Sequence, residues 1–107
     1  MSKYVVEFSH RANLQIRNIF SYISENNPNA ALTMVETLEV RAYQLESNPF
    51  LGTELLKDEY PLLPFGYRKL IVKPFIIYYR VFDKTVCITH IVHSRRNQAE
   101  ALAEDNF

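Results

Sequence analysis

The chain predicts an α+β fold. We expect an antiparallel sheet of about four strands, with an N-terminal helical hairpin packed on one face, in the order β-α-α-β-β-β followed by a short C-terminal helix. Three observations lead there. Residues 67–93 are dominated by β-branched and aromatic side chains, interrupted at Pro74 and at Asp83-Lys84, which reads as three consecutive strands. Residues 10–46 carry two apolar stripes at helical spacing, joined by a short polar connection. The 107 residues hold no repeat, no low-complexity run and no linker, so one domain over 1–107 is expected.

Taken in order, Tyr4 to Ser9 alternates as a short strand, and Ser9 is placed to cap the helix that follows. Ala12, Ile16, Ile19, Phe20 and Ile23 form the apolar stripe of that helix, which stops at residues 25–28. Pro28 suits the first position of a second helix capped by Asn27. Ala31, Met34, Val35, Leu38, Ala42 and Leu45 line its inner side, and Ser47-Asn48-Pro49 closes it. So short a connection makes the pair an antiparallel hairpin.

Pro49 to Gly66 reads as a loop with one turn around Leu55 and Leu56, and with Leu62, Leu63 and Phe65 tucked under the sheet. A two-residue turn at Asp83-Lys84 pairs Val81 with Val86, Tyr79 with Ile88 and Ile77 with His90. Phe75, Ile77, Tyr79 and Val81 then face the helices, and Ile76, Tyr78, Arg80 and Phe82 face away. A bulge in the last strand would flip its outer end, so the parity holds near the turn and not at His93. Residues 98–104 form a short helix with Asn97 as its cap.

Composition narrows the function. Nearly half the residues are apolar, enough for a core without crosslinks, and the single cysteine excludes an internal disulfide. The longest unbroken apolar run, Phe75 to Tyr79, is too short to span a bilayer, and the N-terminus has no signal-peptide pattern. A soluble cytoplasmic protein without membrane association is the expectation. Net charge is zero but uneven: residues 1–60 carry five cationic and eight acidic side chains, and residues 61–107 carry seven and four. A basic sheet half opposite an acidic helical half points to a polyanion or an acidic partner at the sheet end; ordinary scatter is the bland alternative.

Few residues offer chemistry. His90 and His93 lie three apart on a strand and face opposite sides, so no metal site is expected, and with two glycines there is no phosphate loop. No nucleophile motif is present, Cys87 reads as an inert sheet residue, and no cofactor is expected. What remains is cationic: His93, Arg95 and Arg96 after the last strand, with Arg68, Lys69, Lys73 and Arg80 on the strands before it. Gathered into one patch beside Tyr67 and Tyr78, they would suit phosphate contact and base stacking; a solvated face of ion pairs is the alternative.

At this point the residues resemble a known family. Residues 75–81 (Phe-Ile-Ile-Tyr-Tyr-Arg-Val) followed by residues 86–96, ending His-Ser-Arg-Arg, are similar to the closing hairpin of the RelE/ParE superfamily of bacterial toxins. Residues 66–70 look like that family's second strand, and the helical hairpin with Asn48-Pro49 and Gly52 after it also fits. The resemblance covers essentially the whole chain. It implies the toxin of a type II toxin–antitoxin system, a growth-inhibiting and plasmid-stabilising device. A small antitoxin protein would neutralise it and would supply the contact with operator DNA.

The superfamily divides by activity. RelE-like members are endoribonucleases that cut mRNA on the ribosome, whereas ParE-like members poison DNA gyrase and need no hydrolytic site. By resemblance, Lys69 stands for the RelE-like second-strand lysine and Arg96 for the later arginine. Ile76 occupies the third-strand arginine position, and Leu102 falls near the C-terminal aromatic one. Two of four positions therefore differ, and the resemblance favours a ParE-like gyrase inhibitor with no catalytic residue. Arg68, Lys69, Tyr78, Arg80, His93, Arg95 and Arg96 would contact the target. The alternatives are a ribosome-dependent endoribonuclease using Lys69, His93 and Arg96, with His93 as the group of natural acid–base pKa, or a non-toxic member kept for antitoxin binding.

Overall fold

A computed structural model describes residues 3–56, 58 and 66–103. Its elements are β1 (Val5–Phe8), α1 (His10–Ser24), α2 (Pro28–Tyr43), a 3-10 turn (Gln44–Glu46), β2 (Thr53–Glu54), β3 (Tyr67–Val72), β4 (Phe75–Phe82), β5 (Thr85–His93) and α3 (Gln98–Ala103). The class is the expected α+β, but the sheet has five strands, in the order β1-β5-β4-β3-β2. Two features account for the fifth strand and the mixed pairing. β1 lies at the edge beside β5 and parallel to it, with Val5 opposite Thr85 and Phe8 opposite Ile88. The stretch expected to turn at Leu55 and Leu56 instead adds β2 to the other edge, where Thr53 pairs with Lys69 and Glu54 with Arg68. The positions of Leu62, Leu63 and Phe65 lie outside the described residues.

The helix boundaries follow their caps. The Ser9 hydroxyl accepts the Ala12 N–H at 3.1 Å, and the Asn27 side chain accepts the Ala30 N–H at 3.0 Å, with Pro28 next to it. Each cap satisfies one of the N–H groups that a first helical turn leaves without a partner. α2 ends at Tyr43, and one 3-10 turn carries the chain to Ser47.

Near the Asp83-Lys84 turn the register is the expected one: Val81 opposes Val86 and Tyr79 opposes Ile88. Asp83 takes a positive φ of 54°, as a tight hairpin turn demands. Farther out a bulge at Tyr78/Tyr79 leaves Thr89 as the extra residue, so Ile77 pairs with Ile91 and His90 with Tyr78. This corrects the Ile77–His90 pairing. The bulge returns Ile91 to the helix face and sends His90 to the other one. β5 outruns β1 beyond Ile88, and side chains finish its hydrogen bonding: Gln15 accepts the Ile91 N–H, and Ser9 donates to the Thr89 carbonyl.

The sheet separates two cores. Ala12, Leu38, Ala42, Leu45, Leu70, Val72, Phe75, Ile77, Tyr79, Val86, Ile88 and Ile91 pack between the helical hairpin and the sheet. On the opposite face Tyr67, Tyr78 and Val92 meet Ala101 and Leu102 of α3, with Leu55 and Ile76 at the margin. Burying side chains of this size yields roughly 1.5–3 kcal/mol each, so the larger cluster carries most of the fold.

Candidate functional site

The strand directions bring two turns together. Phe75, just after the β3–β4 turn, opposes His93, the last residue of β5, and their rings meet edge to face with centroids 5.3 Å apart. The Ser94 N–H donates to the Pro74 carbonyl at 2.8 Å, tying the β3–β4 turn to the segment leading into α3. The Arg95 N–H donates to His93 Nδ1 at 3.1 Å, which assigns that ring's proton to Nε2. The Arg96 N–H and the Gln98 side chain both reach the His93 carbonyl, and the Tyr78 hydroxyl donates to Gln98 at 2.7 Å. Asn97 caps α3, as expected, by accepting the Glu100 N–H. Backbone groups, the His93 ring and Gln98 thus hold residues 93–98, and Ser94, Arg95 and Arg96 are exposed.

Two concavities meet at this end of the sheet. On the helix face an open groove of about 710 Å³ runs between Ile19, Tyr22 and Ile23 of α1, Ala30 and Met34 of α2, and Pro74, Phe75, His93 and Arg95. A second cleft of about 500 Å³ is lined by Ile71, Lys73, Ile76 and Ser94 together with the same Pro74, Phe75, His93 and Arg95. Among the described residues neither lining includes a carboxylate. Lys73 and Arg95 are exposed, and Ile71 presents 54% of its surface to solvent.

The other expected site residues are elsewhere. Tyr78 is completely buried beneath α3, which corrects its expected role as a stacking platform. Tyr67 is 7% exposed and lies under the Arg80 guanidinium, 5.2 Å from the ring centroid, so it offers no open face either. Arg68 is engaged in the fold: its guanidinium donates to the Gly52 carbonyl at 2.7 Å and lies 5.0 Å from the Phe50 ring centroid. The single patch expected from the cationic residues therefore divides in two. His93, Arg95 and Arg96 share one turn region with Lys73, while Arg68 and Arg80 lie toward the far end. Arg80 is five residues along β4 from Phe75, about 16 Å at strand rise.

Lys69 stands apart from His93. It opposes Tyr78 and shares that residue's outer face, whereas His93 opposes Phe75 on the helix face. Lys69 and His93 therefore do not face one reacting atom. Cys87 is half-buried mid-strand, and its thiol is pushed above its ordinary pKa of 9.0 by burial and then by the Glu7 carboxylate, with Arg80 opposing. It stays protonated near neutrality and unreactive. Among the described residues no group of three metal-ligating side chains occurs, and no helix is long and apolar enough to cross a membrane.

Sequence reasoning assigned Ile19, Ile23 and Met34 to core stripes. Ile19 and Met34 do pack against the core, and with Ile23 they are half-buried and line the groove as well. Tyr22, beside that stripe, is 77% exposed.

Residues 6–98 match the family model described as the ParE toxin of the type II toxin–antitoxin system, parDE. The chain belongs to the ParE toxin family of type II toxin–antitoxin systems. Among solved structures it resembles the chromosomal ParDE toxin–antitoxin system from P. aeruginosa, with TM-score 0.67 and 22% identity over 84% of this chain and 95% of that one. It also resembles a double-mutant E. coli toxin RelE in the free state, with TM-score 0.59 and 16% identity over 98% of this chain and 99% of that one. At those identities the two structures speak for a shared fold. No curated protein matches the chain.

Proposed function

We propose that this chain is a growth-arresting toxin that acts on DNA gyrase by binding, without hydrolytic chemistry, and that a cognate antitoxin neutralises it. The observation that carries the reading is the separation of Lys69 from His93 on opposite faces of the sheet. Cleavage through a 2′-hydroxyl needs a base, an acid and cations around a single phosphate, and a Lys69 and a His93 on opposite faces do not share one. Membership of the ParE toxin family supports the same reading. In it, Lys73, His93, Arg95 and Arg96 contact gyrase or the DNA gyrase holds, and the antitoxin occupies the groove between the helical hairpin and the sheet end. Contact with operator DNA falls to the antitoxin.

The test is a pulse-labelling time course after induction without antitoxin, following DNA and protein synthesis in parallel. Early loss of DNA synthesis with a DNA-damage response is the expected result. Translation failing within minutes while replication continues would overturn the gyrase assignment in favour of mRNA cleavage. Growth continuing unchanged would point to a non-toxic antitoxin-binding protein.

A further inference from the structure

Gln98 stands between the buried sheet and the exposed turn. Its side chain bonds to the Tyr78 hydroxyl at 2.7 Å, to the His93 carbonyl at 2.9 Å and to the Arg96 carbonyl at 2.8 Å. The two carbonyls can only accept, so the amide nitrogen must face them with both its hydrogens. The amide oxygen is thereby turned to Tyr78, and the Tyr78 hydroxyl must donate. The chemistry of the partners fixes which way the amide lies.

The anchor at the inner end is rigid. Tyr78 is completely buried, its ring meets His90 edge-on with centroids 6.5 Å apart, and it packs with Tyr67, Val92, Ala101 and Leu102. At the outer end the two carbonyls that Gln98 holds bracket Ser94 and Arg95. One belongs to the last residue of β5 and the other to Arg96. The Arg96 N–H closes the same span by donating to the His93 carbonyl. A single amide therefore sets where residues 94–96 stand relative to the centre of the sheet.

We infer that Tyr78 and Gln98 are the positioning pair of the target-binding turn. Tyr78 serves the turn through Gln98 and not by touching the target. This rests on the reading above, in which Arg95 and Arg96 meet the target, and adds how their segment is held ready. A contact segment already fixed in one conformation loses little freedom on binding, and the loss avoided appears as affinity. Gln98→Glu reverses the arrangement with almost no change of shape. One carboxylate oxygen can still accept from Tyr78, but the other faces two carbonyls that offer it no hydrogen.

The experiment compares full-length variants by amide hydrogen exchange and by the amount of protein needed to arrest growth on induction without antitoxin. Gln98→Glu is expected to quicken exchange of the Ser94 and Arg96 amides about tenfold while the amides of β4 exchange as in wild type. The amount needed for arrest should rise about tenfold, the effect of one lost positioning interaction. Gln98→Met removes all three bonds without adding a charge, and should move both readouts in the same direction. Tyr78→Phe keeps the ring, removes only the hydroxyl, and should move both by less.

If exchange quickens at Ser94 and Arg96 in both Gln98 variants while potency stays at the wild-type level, the turn needs no positioning and the inference is wrong. Unchanged exchange in both variants overturns it as well. So does a loss of potency accompanied by equally quickened exchange across β4, which is ordinary destabilisation. The reading beneath fails separately. Full toxicity in Arg95→Ala with Arg96→Ala removes the turn from the target interface whatever Gln98 does, and a wild-type chain that arrests no growth overturns the toxin reading itself.

Discussion

Arg68 and Arg95 lie toward opposite ends of one sheet. Arg68 is drawn into the structure, where its guanidinium holds the Gly52 carbonyl and covers the Phe50 ring. At that end the Tyr79 hydroxyl, completely buried, accepts the Gly52 N–H at 2.8 Å, so residues 50–54 are strapped onto the sheet from both sides. Arg95 is exposed, its backbone N–H donates to the His93 ring, and it lines two concavities that show no carboxylate among the described residues, one of them together with exposed Lys73. Cations of equal charge thus have different tasks. At the strapped end Arg68 fastens a segment whose own strand pairing is two residues long. At the other end Arg95 is exposed on a turn tied down by the Ser94 N–H to the Pro74 carbonyl and by Gln98. Substitutions at the two ends should therefore separate stability from function.

The largest effect on stability is expected beneath both ends. Leu38 has no exposure, so Leu38→Asp buries an unpaired charge and should yield no cooperative unfolding transition by circular dichroism. At the strapped end, a Cβ on Gly52 would stand 2.6 Å from the Lys69 carbonyl oxygen and 2.7 Å from the Tyr79 hydroxyl. The first of these is strand backbone, which cannot move aside cheaply. Gly52→Ala should cost about 1–3 kcal/mol in urea unfolding, and an unchanged midpoint would mean that the strap is not held as described.

Tyr79→Phe removes the acceptor for the Gly52 N–H and should cost about 1–2 kcal/mol at neutral pH. It carries a pH signature as well. Burial raises the Tyr79 hydroxyl above its ordinary value of 10.0, while the Gly52 N–H and the Arg68 charge pull it part of the way back. The folded chain keeps a proton that the unfolded chain releases near pH 10. The resulting stability is fully present below that pH and is lost as pH rises through the higher folded value. Urea midpoints between about pH 9 and 11 should therefore fall less steeply in the phenylalanine variant than in wild type.

The smallest effect on stability is expected at the open end. Arg95→Ala combined with Arg96→Ala should leave the melting temperature within about 2 °C, because surface substitutions away from buried contacts change little. Growth arrest should nevertheless fall. Full toxicity in a folded double variant would remove the turn from the target interface.

How much was legible in the sequence depended on the range of the interaction concerned. The Ser9, Asn27 and Asn97 caps were readable because each acts on an N–H three residues away. The inward row Phe75, Ile77, Tyr79 and Val81 was readable because strand periodicity is strict close to a two-residue turn. The Thr89 bulge removed that certainty at the far end of β5, so the true partners of Ile77 and His90 were not. The division of the cationic set was illegible for a related reason. Nothing local to Arg68 announces that Gly52, sixteen positions earlier, will present its carbonyl there.

The sequence by itself determined the α+β class, the elements of the helical hairpin and of the closing strands, and the family resemblance. All of these reside in periodicity, capping and the order of short motifs. Tertiary structure alone decided that β1 lies parallel beside β5, that residues 53–54 extend the opposite edge, and that Tyr78 is sealed under α3. It also decided that one turn forms the wall of two concavities. These outcomes depend on which distant groups meet once the sheet closes, and a linear pattern of residue types does not carry that information.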